Sequence, residues 1–370
     1  MKILYEPETF SLQDFGGVSR YFYELIDNAG PGLTSELPVV MSNNLYLRSR
    51  RHTRHWSFFP GLAVPGGWRV LRYANRCAAR RAIQRQDFDV FHPTVNDQNY
   101  FLDLLGKKPF IITIHDMIPA LFGEYYGPAN PVLAQLASRA ARIITVSENT
   151  RADVLRLLPV APERVVVVHH GHTVREYSDE NPVPTPDEYL LFIGNRRTYK
   201  NFDCLVTAFG QLRKDFPSLH LVCAGGGAFT SEEQALLQGA GVKSRTHHYG
   251  YLTDAQLNRL YRLARVFVFP SYYEGFGFPI LEAFSQMCPV VLSNASCFPE
   301  IAQDAGLYFN PKDAKELTDQ LTRVLRDRAL YQQLTVRGQH RLRDFSWLQT
   351  VAATRRVYEA AREDAQVLVR

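Results

Sequence analysis

Short runs of β-branched and aromatic residues recur along the whole chain, and most are apolar throughout rather than alternating with polar positions. In the first half they occupy residues 2–5, 38–41, 89–92, 110–115, 142–147 and 165–169. In the second half they occupy 189–194, 220–225, 246–252, 266–271, 289–293 and 307–310. An unbroken apolar run of this length fits a strand covered on both faces, the condition of a parallel sheet between helices. Stretches of helical period separate many of these runs, so the expected fold class is α/β with doubly wound parallel sheets.

At 370 residues the chain exceeds one ordinary hydrophobic core and fits two domains. The break falls at residues 177–188, a polar, acidic segment with Pro182, Pro184 and Pro186 and no periodicity, which reads as a semi-rigid linker. The expected layout is an N-terminal domain over 1–176, the linker, a C-terminal domain over 189–345, and a final helix over 346–370 returning to the first domain. Two such domains would face each other across a cleft at the carboxyl ends of their strands, where open α/β sheets bind ligands.

Three segments place chemistry at strand ends. The first runs Phe267-Val268-Phe269-Pro270-Ser271-Tyr272-Tyr273-Glu274-Gly275-Phe276-Gly277-Phe278-Pro279 and continues through Glu282. A buried strand passes through a glycine turn into a helix with Pro279 in its first turn, where no donor is lost. Gly275 and Gly277 allow close backbone approach, and free amides at the helix start favour a phosphate. Glu282, one turn in, is placed to accept two ribose hydroxyls, and Glu274 to reach a sugar beyond the phosphates.

The second segment, Gly194-Asn195-Arg196-Arg197-Thr198-Tyr199-Lys200, puts cations after a strand, and Arg196 with Lys200 would neutralise a diphosphate. The third is Phe15-Gly16-Gly17-Val18-Ser19-Arg20, where Gly16 and Gly17 offer amides before an amphipathic helix. His115-Asp116, at the end of the 110–115 run, adds a candidate functional histidine.

Other features are read as structural. Asp87-Phe88-Asp89 has the look of an Asp-x-Asp metal pair but abuts a strand, and is taken as strand entry. Gly225-Gly226-Gly227 lacks the full dinucleotide fingerprint. His169-His170-Gly171-His172 has no fourth ligand at zinc-site spacing, so it is read as a strand end and no metal is expected. The five cysteines are odd in number and form no Cys-x-x-Cys, consistent with free thiols.

Net charge is +5, and the excess is concentrated: residues 48–85 hold ten arginines and no acid. Trp56, Phe58, Phe59, Leu62, Val64 and Trp68 lie among or beside them. Arg48, Arg50, Arg51, Arg54, Trp56 and Trp68 are the candidates for contact with an anionic membrane or an acceptor. The amino terminus has no apolar signal region and no run reaches about 18 apolar residues, so the expected location is the cytoplasm, with docking on the inner face of the membrane.

Taken in order, Gly16-Gly17, His115-Asp116, Arg196…Lys200 and Glu274-x7-Glu282 resemble family 4 retaining glycosyltransferases of GT-B fold, over essentially the whole chain. The segment from Phe10 to Phe22 resembles bacterial mannosyltransferases of polysaccharide assembly. The resemblance implies two Rossmann-like domains, with the acceptor mainly on the first and the nucleotide-sugar on the second. It implies Arg196 and Lys200 on the diphosphate with Gly16 and Gly17, Glu274 on the donor sugar beside Gly275, Phe276, Gly277 and Phe278, and Glu282 on the ribose. His115 would lie near the reacting carbon, and the base against the Tyr251-Leu252 backbone. Tyr199 stands where many members have an arginine, which leaves Arg196 and Arg197 both open as the phosphate ligand, Arg196 being favoured.

The implied reaction is retaining, metal-independent hexosyl transfer, best matched by mannose from GDP-mannose, to a saccharide or lipid-linked saccharide. UDP- and dTDP-sugars stay open as donors. A nucleotide-sugar 2-epimerase is the rival within enzymes. A nucleic-acid-binding protein would use the arginine patch but has no need of Glu274-x7-Glu282, and those acids would repel phosphate.

Overall fold

The computed structural model describes residues 1–49, 51, 53–59, 66–123, 130–173, 182–196, 198–250 and 252–367. The expectations for Arg50, Leu62, Val64, Arg197, Tyr251 and residues 177–181 of the linker fall outside the described residues. Two compact units result, Met1–Gly171 with Ser346–Arg370, and His172–Phe345.

In the first unit, β1 (Lys2–Tyr5), β2 (Thr34–Glu36) and β3 (Val90–His92) pair in parallel in the order β2-β1-β3. The strands β4 (Ile111–Ile114), β5 (Arg142–Thr145) and β6 (Val165–Val167) pair likewise in the order β4-β5-β6. A parallel bridge between Phe91 and Phe110, with the Phe91 amide on the Pro109 carbonyl at 3.0 Å, joins the two sets. The strand order therefore reverses at β1 and β3. Chain direction changes there without a connection to fill the crevice, so carboxyl-end loops open around it.

The expected strand at 38–41 is displaced. Thr34–Glu36 pairs with β1 instead, and Val40 and Met41 place their amides on Asn75 Oδ1 at 2.7 and 3.0 Å. Their apolar side chains reflect packing beside the helix Gly67–Gln84, not a place in the sheet. The helix Trp347–Val367 belongs to the first unit, where the Tyr358 hydroxyl lies 3.1 Å from that of Tyr5 and 2.8 Å from His92 Nδ1.

The second unit is one parallel sheet in the order β12-β11-β10-β7-β8-β9. Its strands are β7 (Tyr189–Ile193), β8 (His220–Ala224), β9 (Thr246–Tyr249), β10 (Val266–Phe269), β11 (Val290–Ser293) and β12 (Gly306–Phe309). All residues of β10 and β11 are buried, as unbroken apolar runs require of central strands. Leu190, Phe192, Leu205, Phe209, Leu221 and Val268 are among the residues of its core, each fully buried. Burial of each such side chain contributes about 1.5–3 kcal/mol. The order reverses between β7 and β10, so the loops after Ile193 and Phe269 flank the crevice.

Candidate functional site

At the crevice of the second unit the loop after β7 meets the loop after β10. Lys200 Nζ donates to Glu274 Oε1 at 2.6 Å, and both side chains are only 12 % exposed. The Ser271 hydroxyl donates to the same oxygen at 2.7 Å. Among the described residues, both side-chain hydrogen bonds to the carboxylate thus fall on Oε1. The ammonium also lies 5.3 Å from the centre of the Phe269 ring, so it is held by an anion and an aromatic face.

Local backbone explains why these side chains converge. Asn201 sits in the left-handed region at φ 55°, where asparagine is tolerated, and starts the helix Phe202–Leu212. Its side chain donates to the carbonyls of Pro270 (3.0 Å) and Pro311 (2.7 Å), tying the Lys200 turn to the β10 loop. The Tyr272 amide donates to the Tyr199 carbonyl at 2.8 Å, a second tie between the same loops. Gly277 takes φ 90° at the start of the helix Phe278–Ser285, a conformation that glycine adopts without steric cost. Further along that helix, Glu282 Oε2 accepts from the buried Tyr261 hydroxyl at 3.0 Å.

Arg196, expected beside Lys200 on a diphosphate, has its side chain on the loop after β8. Its side chain is 4 % exposed and paired with Glu233, Nε to Oε1 at 2.9 Å. The guanidinium donates to the carbonyls of Gly225 (3.4 Å), Gly227 (2.5 Å) and Ala228 (3.2 Å), and stacks 4.7 Å from the Phe229 ring centre. Glu233 is itself fixed by a capping box with Thr230 at the head of the helix Ser231–Gly239. The reason is electrostatic and steric: Gly225 and Gly226, at φ 84° and 69°, turn their loop around the arginine, and a Cβ on Gly226 would lie 3.3 Å from Arg196 Nη1. Here the guanidinium braces the β8 loop, and Lys200 is the cation paired with Glu274. No sequence motif marks Glu233 or the triple glycine as its partner, because pairing across 37 residues leaves no local pattern.

In the first unit, His115 follows β4 and stacks on His170, ring centres 5.5 Å apart and 22° from parallel, with Tyr21 edge-on at 5.1 Å. Burial lowers the His115 pKa to about 4, so the ring is neutral near pH 7. The His169-His170-Gly171-His172 run thus supplies a packing partner for His115. A Cβ on Gly171 would lie 2.3 Å from the Trp347 amide nitrogen, which explains the glycine. Asp116 accepts the Ile118 amide at 2.9 Å and closes a turn.

His115 lines a cavity of about 610 Å³ at the carboxyl ends of β1, β3 and β4. Apolar walls from Leu12, Met117 and Leu133 surround a few polar groups, the composition of a small-molecule site. Thr9 Oγ1, Asn96 Oδ1 and His115 Nε2, on residues that line it, are buried without a hydrogen-bond partner. A larger hollow of about 930 Å³, lined by Arg323, Arg326 and Arg328, is open and lies on helices away from the strand ends.

Gly17 begins the helix Gly17–Asp27, and Gln13 Oε1 accepts the Ser19 amide at 3.3 Å. Gly16 has an extended φ of 164°, so its backbone does not itself demand glycine, although a Cβ there would meet Gln13 Oε1 at 2.6 Å.

Asp87 and Asp89 lie at the amino ends of the strands, bound to Lys2 through its ammonium (2.8 Å) and its amide (2.7 Å). Among the described residues no group of three or more His, Cys, Asp or Glu is arranged to hold a metal ion.

The arginine segment is divided. Arg72 and Arg76 turn onto the buried Glu8, and Arg85 onto Glu36. Arg48 and Arg54 are exposed, Arg51 lies 3.5 Å from Asp27, and Trp56 and Trp68 are 75 % and 46 % exposed.

Residues 15–176 match the family described as Glycosyltransferase Family 4, and residues 173–341 the one described as Glycosyl transferases group 1. O-antigen chain mannosyltransferase B of Escherichia coli is 31% identical over 97% of this chain and 100% of its own length. Among solved structures, sucrose-phosphate synthase from Thermosynechococcus elongatus superposes with a TM-score of 0.73 at 21% identity, covering 97% of this chain and 98% of that one. The Anabaena HepE protein in complex with UDP-glucose gives 0.70 at 15% identity, over 97% and 98%. The chain belongs to the family 4 glycosyltransferases and has the two Rossmann-like α/β units of the GT-B fold.

Proposed function

We propose that this glycosyltransferase moves mannose from GDP-mannose onto a saccharide or lipid-linked saccharide during polysaccharide assembly, with retention and without a metal. The observation that carries the reading is the Lys200–Glu274 pair at the reversal point of the second sheet. It presents one cation and one carboxylate at the place where an open α/β sheet takes a nucleotide. Likeness to an O-antigen mannosyltransferase along the full chain supports the sugar and the setting.

Under this reading the donor lies on the second unit. Lys200 meets the diphosphate, the amides before the helix Phe278–Ser285 add to it, Glu274 takes a sugar hydroxyl and Glu282 the ribose. The acceptor lies in the cavity beside His115, where the unpartnered Thr9, Asn96 and His115 atoms suit hydroxyls and the apolar wall suits a ring face.

In the transfer the bond from the anomeric carbon to the phosphate oxygen breaks as the acceptor oxygen bonds to that carbon on the same face. The acceptor's proton passes to the departing phosphate, giving a glycoside and a nucleoside diphosphate. Negative charge grows on the phosphate, where Lys200 and fixed amides stabilise it most.

Incubation with GDP-, UDP- and dTDP-sugars plus saccharide acceptors tests the reading. The expected product is an α-linked mannoside with release of GDP. Conversion of a nucleotide sugar to its 2-epimer without acceptor would favour the epimerase instead.

A further inference from the structure

Glu274 sits in a loop whose main chain is held at almost every step. Pro270 gives its carbonyl to Asn201, Ser271 its carbonyl to the Ser293 hydroxyl at 2.6 Å, and Tyr272 its amide to Tyr199. At Glu274 one side chain does both jobs. The Ser296 hydroxyl accepts the Glu274 amide at 3.0 Å and donates to the Glu274 carbonyl at 2.6 Å. Cys297 Sγ approaches the same carbonyl at 3.3 Å.

Ser296 makes these bonds from a costly conformation. Its φ is 56°, in the left-handed region, where a side chain strains the backbone and glycine does not. Glycine would relieve the strain but has no hydroxyl to bridge the two Glu274 groups. Ser271, fully buried, adds its hydroxyl to Oε1 of the same carboxylate. One serine thus fixes where the residue sits and the other which way its carboxylate points.

We propose that Ser296, with Ser271, is a positioning residue that sets the Glu274 carboxylate for its ligand, leaving Oε2 to meet it. The inference rests on Glu274 as the group that touches the donor sugar. A carboxylate that must meet a hydroxyl in the transition state is sensitive to small displacement, and an error of about 1 Å can cost about 10²-fold in rate.

The test uses the full chain carrying Ser296→Gly, Ser296→Ala or Ser271→Ala. Thermal unfolding, calorimetric binding of GDP and UDP, transfer kinetics, and hydrogen exchange at the Glu274 amide are measured on each. Ser296→Gly is expected to keep or raise Tm, keep nucleoside diphosphate affinity within about twofold, and lower kcat by about 10- to 10²-fold. Exchange at Glu274 is expected to rise in both Ser296 variants. Ser271→Ala is expected to lower kcat with Glu274 exchange unchanged.

Wild-type kcat in Ser296→Gly would overturn the proposal. So would unaltered exchange at Glu274, or a kcat loss matched by an equal loss of nucleoside diphosphate binding. Exchange reads the clamp without turnover. A wild-type chain that transfers no sugar from any nucleotide donor would instead overturn the functional reading.

Discussion

Lys200 Nζ and Glu274 Oε1 are 2.6 Å apart and mostly shielded from water, so each is the main counter-charge of the other before any ligand arrives. An ammonium has three donors, and an aligned ligand oxygen could use another without breaking this contact. Pairing therefore keeps the ammonium aimed within a partly buried crevice.

Loss of either partner is expected to abolish most transfer. Lys200→Ala removes charge from the leaving phosphate, and loss of such a donor typically lowers kcat by ~10²–10³-fold. Glu274→Gln keeps shape but leaves the lysine without its anion. Both single variants are expected to be less stable than a Lys200→Met/Glu274→Gln double variant, which removes both charges together. Turnover near that of wild type in either single variant, measured on folded protein, would remove the pair from the mechanism.

Arg196→Ala is expected to behave as a stability variant. Its removal takes the guanidinium from the half-buried Glu233 carboxylate and from three carbonyls, and losing a hydrogen bond to a charged group typically costs about 1.5–3 kcal/mol. Arg196→Lys is expected to fail as well, since an ammonium cannot span the same fork of acceptors. Calorimetry should show unfolding of the second unit at lower temperature. A variant that unfolds like wild type but loses nucleoside diphosphate affinity would restore Arg196 as a phosphate ligand.

The cation next to Glu274 was legible as a basic loop after a strand, and the glycine turn to Glu282 was legible from its residues alone. The choice between the cations was not, because Glu233 and the carbonyls that take Arg196 come from another loop. The serines were hidden for a similar reason: Ser271 and Ser296 carry no periodicity, and their meaning lies in a contact between two strand ends. In the fold, buried strands announced themselves by unbroken apolar runs. The edge strand Thr34–Glu36 is polar and partly exposed, so it looked like a loop, while the apolar Val39 and Val40 beside it looked like the strand.

Acid is expected to destabilise the first unit below about pH 6.5. Burial lowers the pKa of His115 to about 4 and of His92 to about 3, and it lowers that of His170 well below its usual value. A histidine depressed on folding binds its proton more tightly when unfolded, so stability rises with pH through this window. Each contributes up to about 1.4 kcal/mol per pH unit between 6.5 and its folded value. Glu6 opposes this, because burial raises its pKa to about 7 and favours the folded state at low pH between about 4.5 and 7. Protection factors for amide exchange in β1, β3 and β4 should fall from pH 7 to 5, three histidines outweighing Glu6 and Glu8, whose pKa burial also raises. Protection that increases toward pH 5 would contradict the buried neutral histidines.

Transfer is expected to persist in EDTA, because the charge stabilising the leaving phosphate comes from Lys200 and backbone amides. Initial rates with and without chelator should agree within about twofold, against losses of ~10²-fold or more where a catalytic donor is removed. Complete loss, restored by Mn²⁺ or Mg²⁺, would overturn this part of the mechanism and return attention to Asp87 and Asp89.

The exposed part of the arginine segment is expected to bind an anionic membrane. Trp56 is presented by fixed backbone: its amide and carbonyl bond to Val40 and Ser42, and Asn43 grips the Phe58 backbone twice at 2.9 Å. A rigid loop therefore holds Trp56 and the 57 % exposed Phe59 outward beside Arg48, Arg51 and Arg54. Aromatic rings favour the headgroup level, and each arginine near anionic lipid adds ~1 kcal/mol that salt screens. Arg72 and Arg76 are excluded from this sum, since both already neutralise Glu8. No helix among the described residues is long and apolar enough to cross a membrane, so attachment here would be peripheral. Sedimentation with phosphatidylglycerol liposomes should pull down the wild-type chain at low salt and release it at high salt. Replacing Arg48 and Arg54 by serine should weaken pelleting by about 30-fold in apparent affinity, at ~1 kcal/mol each, with unchanged GDP binding; Arg51 is left out of the sum because it pairs with Asp27. A wild-type chain that stays in the supernatant with anionic liposomes at low salt would point to an acceptor free in solution.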